Sequence, residues 1–115
     1  MAAVGRFAPP LALMALIFYL SSLSSVGTGL GTFDFVLRKL AHMTEFGLLW
    51  VLLHRALRWQ APWAAAVAVV LYAAIDELHQ SFVDGRHGTP VDVFIDAAGV
   101  AVAALVLRAS RARWR

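Results

Sequence analysis

PWAAAVAVVLYAAIDELHQ, Pro62 to Gln80, is the stretch on which the reading of this chain turns. From Pro62 to Ile75 it carries no charge, and a proline at its start suits the first turn of a helix. Its last five residues, Asp76-Glu77-Leu78-His79-Gln80, are almost all polar. A helix rising about 1.5 Å per residue needs roughly 20 residues to cross about 30 Å of hydrocarbon. The stretch has that length, so the spacing predicts a membrane helix that carries its acids about one turn inside one boundary.

Three further apolar runs flank it, and the spacing predicts helices over about 9–25, 40–57, 62–80 and 90–108. Of the 115 residues, 61% are apolar and 15% charged, with polar residues gathered in patches between the runs. Lipid leaves no open backbone group satisfied, and no alternating ten-residue segments are present for a closed barrel. The expected fold class is therefore an all-α membrane protein, a compact bundle of four transmembrane helices in one domain, 1–115. Gly47, Gly99 and neighbouring alanines are expected at helix contacts.

Charge placement orients the bundle. Arg6, Arg55, Arg58, Arg108, Arg111, Arg113 and Arg115 share one side, and only Arg38, Lys39 and Arg86 fall on the other. The positive-inside rule then puts both termini in the cytoplasm and every acidic residue toward the outer half. A cleaved signal peptide is the alternative for the first run, but its apolar part with the serine-rich end is long for one. The arginine tail directly follows a membrane helix, so it reads as an anchor on anionic headgroups, and no nucleic-acid partner is expected. There is no cysteine, which excludes disulfides and thiol catalysis.

The polar residues form three groups at the outer helix ends. Lys39, His42 and Glu45 recur every third residue; Asp76, His79 and Gln80 share a face, with Glu77 turned by about 100 degrees; Asp92 and Asp96 lie one turn apart. An ionisable residue inside a membrane is costly and marks a functional site by default. Asp92 also has a structural reading, because Thr89-Pro90-Val91-Asp92 resembles a helix start with an acid in the first turn. Lys39 likewise suits an interface anchor.

Taken in order, Lys39-x-x-His42-x-x-Glu45-Phe46, Asp76-Glu77-x-His79-Gln80, Gly85-Arg86 and Asp92-x-x-x-Asp96-x-x-Gly99 resemble the VanZ-like family of small bacterial membrane proteins. The resemblance spans about residues 39–99. It implies a compact helical protein of the bacterial cytoplasmic (inner) membrane and an association with low-level resistance to the glycopeptide teicoplanin, without supplying a mechanism. The family pattern admits Asn as well as Asp at position 96.

Three readings of the chemistry follow. In the first, Asp76 or Glu77 is a general acid or base sharing a proton with His42, while Lys39, Glu45, His79, Gln80, Arg86, Asp92 and Asp96 bind an anionic envelope amphiphile, such as a lipid-linked precursor. The expected enzyme class is then a hydrolase or transferase. In the second, His42 and the carboxylates hold a divalent cation; carboxylates outnumber histidines and no compact motif such as HExxH is present, so no metal and no cofactor is the expectation. In the third, the pocket belongs to a non-catalytic accessory protein that captures a glycopeptide, a headgroup or a partner. A small transporter or proton relay fits least, because the acids cluster at one side.

Overall fold

A computed structural model describes residues 3–22, 32–82 and 90–113. They form four helices: α1 (Ala3–Ser22), α2 (Thr32–Ala56), α3 (Pro62–Gln80) and α4 (Pro90–Arg113). Two of them, α1 over Ala3–Leu20 and α4 over Val91–Arg111, are long and apolar enough to cross a membrane by composition alone. In α2 and α3 the polar groups lower that apolar character.

The helices run up, down, up and down. Arg6 near the start of α1 reaches the carbonyl of Ala56 at the end of α2, so these two are antiparallel. On α1 and α3 the contacts advance together, Met14 with Tyr72 and then Phe18 with His79, and those helices are parallel. Trp50 on α2 donates through Nε1 to the carbonyl of Pro62, fixing the turn into α3 at 3.1 Å. The most extensive interface joins α2 to α4, whereas α1 touches α2 and α3 but not α4 among the described residues.

The bundle is lined unusually. Phe46, Leu49, Val69 and Ile17 fill a small apolar core, yet Asp76, Glu77, Gln80, Asp92 and Asp96 are buried as well. Large apolar side chains point outward instead. On α3, Trp63, Val67, Leu71, Ile75 and Leu78 are all exposed, at spacings of three or four that keep them on one stripe, and Phe82 just past its end is exposed as well. In water such a stripe would demand a partner. In lipid it is at home.

Helix ends differ from expectation where local chemistry was ambiguous. The second helix begins at Thr32, eight residues before the expected start at 40, because Phe33, Val36, Leu37 and Leu40 continue one apolar helical face past Arg38 and Lys39. The first begins at Ala3 and runs through Pro9 and Pro10 to Ser22; both prolines lie inside it, about two turns in, where each removes one backbone bond, to the carbonyls of Gly5 and Arg6. Residues 23–25 of its expected span lie outside the described residues. The fourth continues to Arg113, past the expected end at 108.

Helix α2 closes in a Schellman motif without glycine. Trp59 N–H donates to the carbonyl of His54 at 2.8 Å, and Arg58 N–H to that of Arg55 at 2.9 Å. The motif requires a left-handed residue, and here Arg58 (φ 59°) and Trp59 (φ 61°) both take that conformation. Each costs about 1–2 kcal/mol relative to a right-handed residue. Trp59 is held edge-on to the His54 ring, centroids 5.0 Å apart, the contact that usually accompanies this cap.

Candidate functional site

The site begins with two glycines. A Cβ added to Gly47 would lie 2.8 Å from the Gly99 carbonyl oxygen, and one added to Gly99 would lie 2.7 Å from Met43 Cα. Only glycine permits so close an approach of the α2 and α4 backbones. Because these helices are parallel, the contact sets a register, and residues one or two turns before it on each helix meet across the seam.

Lys39 pairs there with Asp92, and one turn further in His42 pairs with Asp96. The His42 Nδ1 to Asp96 Oδ1 separation is 3.2 Å, an ion-pair distance that lies off the line of a good hydrogen bond. Neither carboxylate oxygen of Asp96 receives a hydrogen bond among the described residues, although Asp96 is only 1% exposed. A buried carboxylate in that state is costly to leave unsatisfied. Exposure rises along the seam from Asp96 (side chain 2%) through His42 (18%) to Lys39 (27%), so the cluster is reached from the α2 side.

Helix α3 supplies the third wall. Asp76 is buried and lies within electrostatic reach of His42, as does Glu45 from the next turn of α2. Gln80 donates through Nε2 to Asp76 Oδ2 at 3.4 Å, a long bond between residues one turn apart. Glu77 is buried on the same helix at 6% exposure. His79 turns toward α1 and stacks on Phe18, ring centroids 4.0 Å apart. The loop residues Gly85 and Arg86 lie outside the described residues, as does Thr89.

Sequence spacing thus brings His42, Asp76, Asp92 and Asp96 to one place, but it pairs them differently from the expectation. The first chemical reading has His42 share a proton with Asp76 or Glu77, whereas its ion-pair partner is Asp96. Asp92 sits in the first turn of α4 and meets Lys39. Two aromatic residues complete the site, Phe46, which closes the first motif, and Tyr72, which no motif contains. Phe46, fully buried, packs 6.1 Å from His42 and 6.1 Å from Tyr72, and the Tyr72 hydroxyl donates to the Met14 carbonyl. Their signal is the spacing: Phe46 follows His42 by four residues and Tyr72 precedes Asp76 by four, each one turn away on the same face.

Among the described residues no group of three or more His, Asp or Glu side chains is placed to hold one metal ion. Chemically the cluster offers charge pairs, an imidazole beside a buried carboxylate, and a closed aromatic floor.

Beside the polar seam lies an open apolar groove of about 560 Å³, between the exposed flanks of α2 and α4. It runs from Leu40 and Thr44 at the polar end past Leu48 and Val102 to Ser110. From Leu40 to Val51 it is roughly 17 Å long by helical rise, about the depth of one leaflet.

No curated protein and no solved structure matches the chain. A family model does, over residues 7–111, nearly the whole length: the chain belongs to the VanZ/LLP1 family.

Proposed function

We propose that this protein spans the bacterial inner membrane four times, with both termini cytoplasmic, and recognises an envelope amphiphile at the outer leaflet. The observation that carries the reading is a juxtaposition. One helix seam, α2 with α4, holds both the polar cluster at Lys39, His42, Asp92 and Asp96 and the apolar groove that leads away from it. An amphiphile would lay its chain along the groove and set its headgroup against Lys39 and His42. Family membership, the exposed apolar stripe on α3 and the alternating helix directions support four crossings. The arginine excess at the opposite end supports the orientation.

In this reading the amphiphile is a lipid-linked envelope precursor, and recognition of it would be the route to the teicoplanin-type resistance that the family resemblance implies. A catalytic version has its own supporting observation. His42 Nδ1 lies 3.2 Å from the buried Asp96 carboxylate, which would stabilise the imidazolium formed when Nε2 takes a substrate proton, and Asp76 is within electrostatic reach to add to that.

Native mass spectrometry of the purified chain tests the assignment, together with teicoplanin susceptibility of expressing cells. Wild type should carry a lipid that is lost when the groove is filled by Leu48→Trp with Val106→Trp. His42→Gln should keep the lipid if His42 acts on it, and lose it if His42 only binds it. A wild-type chain that is lipid-free and dimeric through this groove would remove the amphiphile from the account.

A further inference from the structure

The end of the bundle opposite the acids has a hollow of its own. Arg6 from α1, Arg55 from the last turn of α2, and Arg58 and Trp59 from the turn that follows surround about 380 Å³, with no acidic residue among the lining. The volume falls in the usual range for ligand sites. Three chain segments converge here by specific contacts. Arg6 Nε donates to the Ala56 carbonyl at 3.0 Å, which pins the start of α1 to the end of α2. Arg111 of α4 lies over the Trp59 ring, its Cζ 5.2 Å from the centroid.

The backbone of this corner is held in a conformation the residues do not prefer. Arg58 occupies the position of the Schellman motif where glycine is at ease, and Trp59 follows it in the same left-handed region. A helix that merely needed to stop would be served better by glycine. What arginine adds is a planar fork of donors, delivered beside two other guanidinium groups and a tryptophan of the kind that settles at membrane interfaces. Strained backbone of this sort collects at ligand sites, where the surroundings hold it.

We propose that Arg6, Arg55 and Arg58 form a binding site for a phosphate group, roofed by Trp59. Guanidinium forks match phosphate oxygens bidentately, and several converging on one hollow favour a tetrahedral phosphate, whose oxygens point out of one plane, over a planar carboxylate. Two sources supply that chemistry at this level of the fold: the headgroup of an anionic phospholipid, and free phosphate. The site is distinct from the acidic cluster, since it is built on the opposite ends of α1, α2 and α4, and it does not depend on what that cluster binds.

The test uses the full chain in detergent, with thermal unfolding and native mass spectrometry as readouts and three probes: short-chain phosphatidylglycerol, the matching diacylglycerol, and inorganic phosphate. The decisive variant is Arg58→Gly. It removes a guanidinium while giving the turn the residue its backbone favours, so the unliganded protein should melt at the same temperature or higher. Phosphatidylglycerol should be held about tenfold less tightly by Arg58→Gly and by Arg55→Gln, as for the loss of a charged hydrogen-bonding group. Arg108→Gln with Arg113→Gln changes the net charge elsewhere on α4 and should leave binding intact. Diacylglycerol should not bind at this site. If inorganic phosphate protects as well as the lipid does, the site is confirmed with free phosphate as its ligand. Undiminished phosphatidylglycerol binding by Arg58→Gly and Arg55→Gln would overturn the proposal, and so would equal weakening in the Arg108→Gln, Arg113→Gln control.

Discussion

The two ends of the bundle handle charge in opposite ways. At one end Asp76, Asp92 and Asp96 are drawn into the interior, Asp92 and Asp96 met by side chains of α2 and Asp76 by Gln80 of its own helix. At the other, Arg6, Arg55 and Arg58 stand around a hollow, with Arg6 on the Ala56 carbonyl and Arg111 over the Trp59 ring. The difference follows from side-chain reach. A carboxylate on a short stem cannot leave the helix wall, so it must be paired where it is, whereas arginine carries its charge outward on an apolar stem. The acidic end should therefore be part of what holds the bundle together, and the arginine end should be dispensable for folding.

That contrast can be broken most forcefully at the seam on which the acidic end depends. Gly99→Val would push atoms into the Met43 backbone, and overpacking of this kind should cost about 3 kcal/mol, read as a lowered thermal midpoint in detergent. The Lys39 to Asp92 and His42 to Asp96 pairs should loosen with it, because the same approach sets their register. Gly47→Val should behave alike.

Next in size is the outer pair. Lys39→Met leaves Asp92 without its cation in a partly buried position and should destabilise by about 2 kcal/mol, less than the 3–5 kcal/mol typical of fully buried pairs. Adding Asp92→Leu should recover most of that loss in a double-mutant cycle. Simple additivity of the two changes would mean that the pair contributes nothing as a pair.

Glu77 sharpens the comparison further, since it is buried in the acidic end but its role is separable from its volume. Glu77→Gln should keep the fold and abolish any envelope-drug phenotype if the charge works on a ligand, while Glu77→Leu should lower stability by about 1–3 kcal/mol by leaving its neighbours unsatisfied. Full phenotype in Glu77→Gln together with an unstable Glu77→Leu would make this residue a brace. The smallest effect belongs to the arginine end, where Arg58→Gly should move stability by no more than about 1 kcal/mol, and upward.

Much of this was legible before any coordinates. The four apolar runs foretell four helices, because burial in lipid leaves the chain little choice. Lys39, His42, Asp76, Asp92 and Asp96 could be grouped from spacing alone, since each set repeats at one helical turn. Which partner each would take could not. Pairing depends on the parallel register of α2 and α4, and although the sequence places Gly47 and Gly99 at helix contacts, it does not say that they face each other and so set that register. The start of α2 was hidden for a related reason: Arg38 and Lys39 resemble the end of a membrane run, yet they lie within one continuous helix. The turn at Arg58 and Trp59 was the least legible feature, because no glycine marks the left-handed position.

The absence of cysteine makes the central claim, that the acidic end faces out and the arginine end faces in, open to a direct measurement. Single cysteines at Ser81, exposed just beyond α3 at the acidic end, and at Gln60, exposed in the turn at the arginine end, place one thiol on each side. In intact cells a membrane-impermeant maleimide should label Ser81→Cys and should reach Gln60→Cys only after the membrane is permeabilised. Labelling of Gln60→Cys from outside with protection of Ser81→Cys would invert the orientation and move the acidic site to the cytoplasmic face. Labelling of both from outside would contradict a bundle that crosses the membrane between them.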